Sequence, residues 1–178
     1  MSTLNVKNIQ YPAGTGTINV PSGTKIVSST SGGLYSPGNV IQTIQNSLNT
    51  QQTTTSTSYV STALTVTITP TNASSKILVT AQITATYGTG TGGGLAIYRN
   101  SSAIFTPSPV DTSGPYMVYG NAVFSCPILS YLDSPGSTSA LTYTIYFRSY
   151  NGNVFSFNGG TGATVVGTST ITVQEIGG

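Results

Sequence analysis

The chain has 178 residues, enough for one ordinary domain and an additional segment. Only 4% of the residues are charged, and five Lys/Arg against three Asp/Glu give a net charge of +2, whereas charged residues make up about 25% of typical soluble domains. The basic residues are scattered singly, which argues against nucleic-acid binding because no basic stripe is available to neutralise phosphates. The apolar residues, 37% of the chain, argue against disorder.

Residues 1–45 are predicted to form an extended, β-rich N-terminal arm. Its strand-like pieces LNVKNI, TINV and TKIV are interrupted by Gly and Pro and are too short to build a core of their own. The opening ten residues lack the charged and apolar regions of a secretory signal, and no stretch approaches the roughly 20 apolar residues of a membrane span. The sequence therefore predicts neither export nor membrane association.

The segment NVIQTIQNSL fits two kinds of secondary structure. Its apolar residues fit helical spacing, but a Ser-Pro-Gly sequence precedes it and a β-rich region follows, so a strand is preferred. Residues 46–57 are polar and of low complexity, which is typical of a linker. Threonine, which is β-branched and suits the wet face of a sheet, is abundant after this point.

Residues 58–178 are predicted to form an antiparallel β-sandwich or jelly-roll-like domain. The clearest strand is Lys76–Tyr87, where apolar residues alternate with Thr and Gln at period 2. Similar alternation marks runs that begin near Leu64, Leu141 and Thr170. Shorter runs are predicted at Leu95–Arg99, Ala103–Phe105, Tyr116–Cys126, Ile128–Leu132 and Val154–Phe157.

Turn chemistry separates these runs. Pro135 and Gly136 occupy the central positions of a type II turn that Asp133 can cap. The dipeptide Asn151–Gly152 is a hairpin signal. The sequons that begin at Asn72 and Asn100 are interpreted as turns rather than glycosylation sites.

A glycine motif follows the clearest strand. Gly88, Gly90 and Gly93 satisfy G-x-G-x-x-G, and Asp111 lies near the distance at which a dinucleotide-binding fold keeps its ribose acid. Such a site requires a helix that opens at the third glycine, but here the short β run LAIYR follows. The motif is therefore interpreted as a glycine loop between two antiparallel strands, and no nucleotide cofactor is expected.

Catalytic and metal chemistry lack the residues they need. The chain has no His, which removes Ser-His-Asp and Cys-His arrangements as well as ordinary zinc sites. Cys126 is the single cysteine, and its apolar neighbours favour a buried structural thiol. Asp111 and Asp133 are considered as a glycosidase carboxylate pair, but each stands where a turn favours Asp. We expect no enzyme, no cofactor and no metal; the 11 tyrosines are interpreted mainly as core and cross-strand residues, with sugar contact as an alternative.

The stretches LTVTITPTNASSKILVTAQITATY, GGLAIYRNSSAIF, LDSPGSTSALTYTIYFRSY and GTSTITVQEI resemble the C-terminal module of tailed-phage virion structural proteins, a type common in phages of cyanobacteria and marine bacteria. The opening MSTLNVKNIQ with TGTINVPSGTKIV resembles the attachment segment at the front of such proteins. This resemblance covers most of the chain and brings no catalytic residues with it.

The resemblance implies a capsid cement or decoration protein on the outer surface of the shell. The arm would bind the major capsid protein through Leu4, Val6, Ile9 and Tyr11, and the sandwich would project outward or bridge capsomers. Long strands almost without Lys or Glu lack the charges that prevent edge-to-edge association. Self-association is therefore expected, with a homotrimer preferred over a dimer. The alternative function is a tail or head fibre, or a receptor-binding module that contacts host glycans.

Overall fold

The computed structural model describes residue 22 and residues 37–87, 91–106, 117–120, 124–159 and 167–178. Within these ranges the chain forms strands and no helix. The strands are β1 (Val40–Leu48), β2 (Gln52–Thr54), β3 (Val60–Ile68), β4 (Lys76–Gln82), β5 (Ala85–Tyr87), β6 (Thr91–Arg99), β7 (Ser102–Phe105), β8 (Met117–Gly120), β9 (Phe124–Ser125), β10 (Ile128–Asp133), β11 (Leu141–Ser149), β12 (Phe155–Phe157) and β13 (Ser169–Ile176).

The strands form three antiparallel sheets. Sheet I has the order β1-β13-β4-β10, sheet II the order β2-β12-β5-β9, and sheet III the order β3-β11-β6-β7 with β8 also paired to β6. The orders of sheets I and II correspond strand by strand. β1 continues into β2, β4 into β5 and β9 into β10, and Asn158, the residue after β12, accepts from the N–H of Gly167 just before β13 at 3.2 Å. Sheets I and II therefore form one bent four-stranded layer, and sheet III is the second layer of a β-sandwich.

Alternation of side chains builds the core. Every second residue of β11 is buried, and the same holds for β13, so one face of each strand packs inward while Thr, Gln and Arg face outward. The inner faces of the two layers meet in a single apolar cluster that includes Leu64, Ile77, Val79, Tyr143 and Ile145. Burying each such side chain contributes roughly 1.5–3 kcal/mol.

Asn158 joins four segments at the bend between sheets I and II. Its side-chain amide donates to the carbonyls of Leu48 (2.7 Å) and Thr50 (3.4 Å), and its Oδ1 accepts from the Ser169 hydroxyl (2.5 Å). Its backbone N–H donates to the Thr84 carbonyl at 2.8 Å. Asn158 is fully buried and has φ +60°. Its side chain therefore supplies buried hydrogen bonds to backbone carbonyls at the bend, where the regular pairing between strands is interrupted.

The expectation of an all-β, antiparallel sandwich is confirmed, and so is the preference for a strand in NVIQTIQNSL, which forms β1. The clearest predicted strand, Lys76–Tyr87, is instead two strands in different sheets, with the change at Ile83 and Thr84. Ile83 and Ala85 are both fully buried. The alternation therefore continues through the bend, and periodicity alone does not reveal the change of sheet.

The predicted boundaries of the arm and linker also differ from the structure. β1 spans residues on both sides of position 45, and β2 lies inside the predicted linker, residues 46–57. β2 is polar, but its backbone pairs with β12, and this pairing depends on position in the fold rather than on composition. Apart from residue 22 and residues 37–45, the predicted arm lies outside the described residues.

The turns predicted from the sequence are found only in part. Gly136 has φ +62°, a conformation that favours glycine, but the chain forms neither a turn nor a bend at residues 134–138, where a type II turn was expected. Asn100 adopts φ +55° between β6 and β7, and its side chain accepts from the N–H of Thr142 at 3.0 Å. Gly152 has φ +82°, but the strands on either side, β11 and β12, belong to different sheets, so the Asn151–Gly152 turn does not close a hairpin.

Candidate functional surfaces

The glycine motif is part of the packing between the layers. Gly93 and Gly94 lie inside β6, which is a strand and not the start of a helix. A Cβ at Gly93 would overlap the ring of Phe155, and a Cβ at Gly94 would lie 2.8 Å from the Tyr59 hydroxyl. Gly88, Gly90 and Asp111 lie outside the described residues. The described part of the motif thus allows close approach of aromatic side chains, and β5 and β6 are not paired with each other.

Asp133 is the centre of a buried hydrogen-bonded group, not a turn cap. The Arg99 guanidinium donates to both of its carboxylate oxygens through Nη1, at 2.9 and 2.8 Å, and the Tyr143 hydroxyl donates to its Oδ2 at 2.7 Å. The side chain of Asp133 is 7% exposed and that of Arg99 is 27% exposed. Burial raises the pKa of the Tyr143 hydroxyl well above its ordinary value, and the hydrogen bond to Asp133 raises it further.

This arrangement ties β10 to sheet III and uses the carboxylate for structure. A glycosidase acid or base needs a carboxyl group that faces a substrate groove and titrates there, whereas both oxygens of Asp133 are engaged by protein donors. The proposed partner, Asp111, is not among the described residues.

Glu175 is the second described carboxylate, and it is fully buried. Its oxygens accept from the Gln42 amide at 2.6 Å and from the backbone N–H and hydroxyl of Thr71 at 2.8 and 2.7 Å. Burial acts to raise the pKa of this carboxyl, but these hydrogen bonds outweigh the effect and hold the pKa below its ordinary value. Glu175 therefore anchors the loop after β3 to β13.

Cys126 is exposed, which contradicts the prediction of a buried structural thiol. It lies in the short connection between β9 and β10, and the next residue, Pro127, directs its carbonyl to the N–H of Ile83 at 3.0 Å. The apolar neighbours that suggested burial belong to the strands on either side. The connection between them follows the bend of the layer, so its side chain is not constrained to face the core.

A tyrosine–arginine cluster, Tyr59, Tyr98, Tyr146 and Arg148, covers part of the outer face of sheet III. Tyr98 on β6 and Tyr146 on β11 stack with centroids 3.8 Å apart and planes at 16°. The Arg148 guanidinium lies 5.1 Å from the centroid of the Tyr59 ring, within cation–π range. Ala96 and Gly94 lie opposite Tyr146 and Arg148 in the register, and these small residues leave room for the large side chains.

Within the described residues, the Arg148 guanidinium donates from Nη1 to the Thr57 carbonyl at 3.4 Å but has no carboxylate partner. In the described part of the chain, the one ion pair is Arg99–Asp133, so no described carboxylate pairs with Arg148. The buried Tyr59 hydroxyl and Arg148 Nε make no aligned hydrogen bond, although the Arg148 charge opposes the rise in the pKa of Tyr59 that burial causes. The sequence indicated cross-strand tyrosines, which the Tyr98–Tyr146 pair confirms, but it did not indicate that Tyr59 and Arg148 join them.

The outer face of sheet I is broad and almost without charge. Register places Ser47, Thr170, Gln82 and Ile128 in one row, Gln45, Thr172, Thr80 and Ser130 in the next, and Thr43, Gln174, Leu78 and Leu132 in the third. Lys76 contributes the one charge on this face among the described residues, next to Ile176. Side-chain hydrogen bonds such as Gln45 to Thr172 (2.9 Å) link neighbouring strands.

The four residues predicted to contact the capsid, Leu4, Val6, Ile9 and Tyr11, lie outside the described residues. The described ranges contain no group of three potential metal ligands. They also contain no helix of the length and hydropathy needed to cross a bilayer.

The described chain thus belongs to the class of antiparallel β-sandwiches, with its carboxylates engaged in structural contacts and its distinctive features on two sheet faces. No protein-family model matches the sequence, and no curated protein shows significant similarity to it.

Proposed function

We propose that this chain is a structural subunit of a tailed-phage particle, and within that role a capsid cement or decoration protein on the outer surface of the shell. The observation that carries the proposal is the nearly uncharged outer face of sheet I. The composition of the whole chain agrees with it, because only 4% of the residues are charged. Surfaces of this kind suit a protein that is permanently part of an assembly, because they lack the charges that normally prevent free proteins from associating.

The resemblance of the sequence to phage virion modules supports the same role. In this proposal the arm residues Leu4, Val6, Ile9 and Tyr11 bind the major capsid protein, and each buried arm removes apolar surface from water at roughly 25 cal/mol per Å². Repetition over a symmetric shell converts modest contacts into large resistance to expansion through avidity. The sandwich carries no catalytic task.

Co-sedimentation with purified phage shells tests this proposal. The intact chain is expected to sediment with shells at a copy number in the hundreds and to raise the temperature at which they rupture. A variant with Leu4, Val6, Ile9 and Tyr11 changed to Ser is expected to stay in the supernatant, whereas Thr43→Ser on sheet I serves as a folded control. If the intact chain does not bind shells, or if cryo-electron microscopy places a few copies on the tail, the decoration role is excluded.

The tyrosine–arginine cluster favours a second candidate function, contact with host glycans. Tyr rings stack on the C–H faces of sugars, and the Arg148 cation together with nearby Thr hydroxyls offers donors for sugar oxygens. Binding of the isolated chain to host cells or to a glycan array tests this. Tyr98→Ala and Tyr146→Ala are expected to lower binding more than tenfold, and Thr67→Ala on the same face is expected to leave it unchanged; equal binding by all three variants excludes this function.

A further inference from the structure

Among the described residues, the strand β10 is an open edge of sheet I. Its neighbour among the described residues is β4, and the sheet order ends with it. The opposite edge, β1, is covered differently, because the Gln42 amide donates to the Thr69 carbonyl (2.8 Å) and the Asn46 amide donates to the Thr65 carbonyl (2.7 Å). Those amide groups bridge β1 to β3 and close that side of the sandwich.

The direction of the free hydrogen-bonding groups of β10 follows from one contact. The Pro127 carbonyl accepts from the Ile83 N–H, so it points toward β4. Backbone groups alternate in direction along a strand, and the β10–β4 register has no bulge between Ile128 and Asp133. The N–H and C=O groups of Ile128, Ser130 and Leu132 therefore point away from sheet I and have no ladder partner in it.

The side chains on this edge are unusually apolar for an unprotected strand. Ile128 is 61% exposed and Leu132 is 47% exposed, with the exposed Ser130 between them. Natural edge strands are normally protected by Lys, Pro, a bulge or an inward charge. Within β10 the one charged residue, Asp133, is buried and paired with Arg99, so none of these devices protects its central residues.

We infer that β10 pairs with β10 of a second copy of this chain, antiparallel about a two-fold axis at Ser130. Ser130 then faces Ser130 of the second copy, and Ile128 faces Leu132 on both sides of the axis. The outward N–H and C=O groups of Ile128, Ser130 and Leu132 meet their counterparts in hydrogen-bonded pairs, and the two exposed apolar side chains cover each other. The result is a continuous eight-stranded sheet built from two copies of sheet I.

A two-fold pairing fits this edge better than the trimer expected from the sequence. A two-fold interface uses the same patch on both subunits, whereas a ring of three needs a second, different edge to receive β10. The end strand of sheet III, β7, has four residues and a register shift in its pairing with β6. Its residues Ile104 and Phe105 pack against the core, so β7 is a poor receptor for a six-residue strand.

Substitution of Ser130 by Pro tests the pairing of the two copies without disturbing the fold of either copy. The Ser130 N–H points away from β4, so its loss removes no bond of sheet I, and Pro is tolerated where the N–H side of an edge strand is free. The intact chain is expected to show twice the 18.2 kDa mass in analytical ultracentrifugation over a concentration series. Ser130→Pro is expected to show half of that mass with an unchanged circular dichroism spectrum, and Ser130→Ala is expected to remain dimeric.

Cysteine cross-linking tests the register. In a background with Cys126→Ser, Ser130→Cys places two thiols on Cα atoms about 5.5 Å apart, within disulfide range. Thr80→Cys is the matched control, because Thr80 lies beside Ser130 on β4 and its two copies would be about 14 Å apart. Oxidation is expected to yield a covalent dimer from Ser130→Cys and little from Thr80→Cys.

Three results would overturn the inference: a monomeric intact chain, a dimer or trimer that survives Ser130→Pro, or equal cross-linking at Thr80. Because these measurements use the isolated chain, their failure leaves shell binding untouched. Conversely, a dimer that does not bind shells would contradict the capsid role and leave the edge pairing intact.

Discussion

Gly93→Ala tests whether the glycine run in β6 exists for packing. A methyl group at this position would lie 2.5 Å from both Cδ carbons of Phe155, whereas carbon atoms in contact are ordinarily about 3.5–4.0 Å apart. Phe155 cannot simply move, because its ring is fully buried and packs against Phe147 with centroids 6.2 Å apart. The overlap of about 1 Å must therefore be relieved by a shift of backbone or ring.

Overpacking of this kind costs about 2–3 kcal/mol, which lowers the melting temperature of a domain of this size by about 4–12 °C. Thermal and urea unfolding measure the effect. Gly94→Ala is the matched control on the same strand, since its methyl group would meet the Tyr59 hydroxyl at 2.8 Å and Arg148 Nε at 3.1 Å. Tyr59 and Arg148 are only partly buried as whole side chains, so they can shift more readily than the ring of Phe155, and the cost at Gly94 is expected to be smaller than the cost at Gly93.

A double-mutant cycle isolates the contact. Phe155→Leu alone removes part of a buried ring and is expected to cost about 1–2 kcal/mol. In its presence Gly93→Ala should become nearly neutral, because the overlapping ring is gone, which corresponds to a coupling of about 2–3 kcal/mol. A melting temperature unchanged by Gly93→Ala, or additive effects in the double variant, would refute the packing explanation.

Substitutions at three further residues test the buried polar contacts by chemical denaturation. Asp133→Ala is expected to cost about 2 kcal/mol, less than the roughly 3–5 kcal/mol of a fully buried pair, because Arg99 stays partly exposed; a loss below about 0.5 kcal/mol would contradict its structural role. Asn158→Ala is expected to cost about 3 kcal/mol, since it orphans buried carbonyls and replaces Asn, which tolerates the left-handed φ of +60°, by Ala, which adopts it only with strain. Asn158→Gly removes that strain and should recover about 1 kcal/mol, so equal losses in the two variants would argue against the backbone contribution. Glu175→Gln is expected to destabilise the chain at neutral pH but not in acid. The folded-state pKa of Glu175 lies below the ordinary 4.5, so the contribution of the ionised carboxylate to the free energy of unfolding is present above pH 4.5. That contribution is lost as the pH falls through the folded-state pKa. A difference between Glu175→Gln and the parent that does not depend on pH would rule out this linkage.

The sequence predicted the strands of the sandwich well because each strand has one buried and one exposed face. Leu141 to Phe147 alternate in the sequence, and the same residues alternate between core and surface in β11. The elements that were missed are those whose order depends on backbone pairing. β2 has the composition of a linker, but its N–H and C=O groups bond to β12, and no side-chain pattern records such a partner.

The contacts at the bend were missed for a related reason. Asn158 is a polar residue in a turn-like stretch, and sequence patterns assign such residues to the surface. Its burial follows from the convergence of Leu48, Thr84 and Ser169, which are far apart in the sequence. Likewise the sequence predicts Asp133 as a turn cap, but the Arg99 and Tyr143 side chains reach it from other strands.

The scarcity of charge has a structural counterpart in the hydroxyl ladders of the sheet faces. Thr65 bonds to Thr144 at 2.9 Å and Thr67 bonds to Thr142 at 2.9 Å across β3 and β11, positions where many sheets place opposite charges. Such pairs hold neighbouring strands together without creating a field that repels other copies. A fold stabilised in this way keeps polar sheet faces but has no charges to protect its edge strands from pairing with other copies. The central residues of β10 are the clearest example of such an unprotected edge.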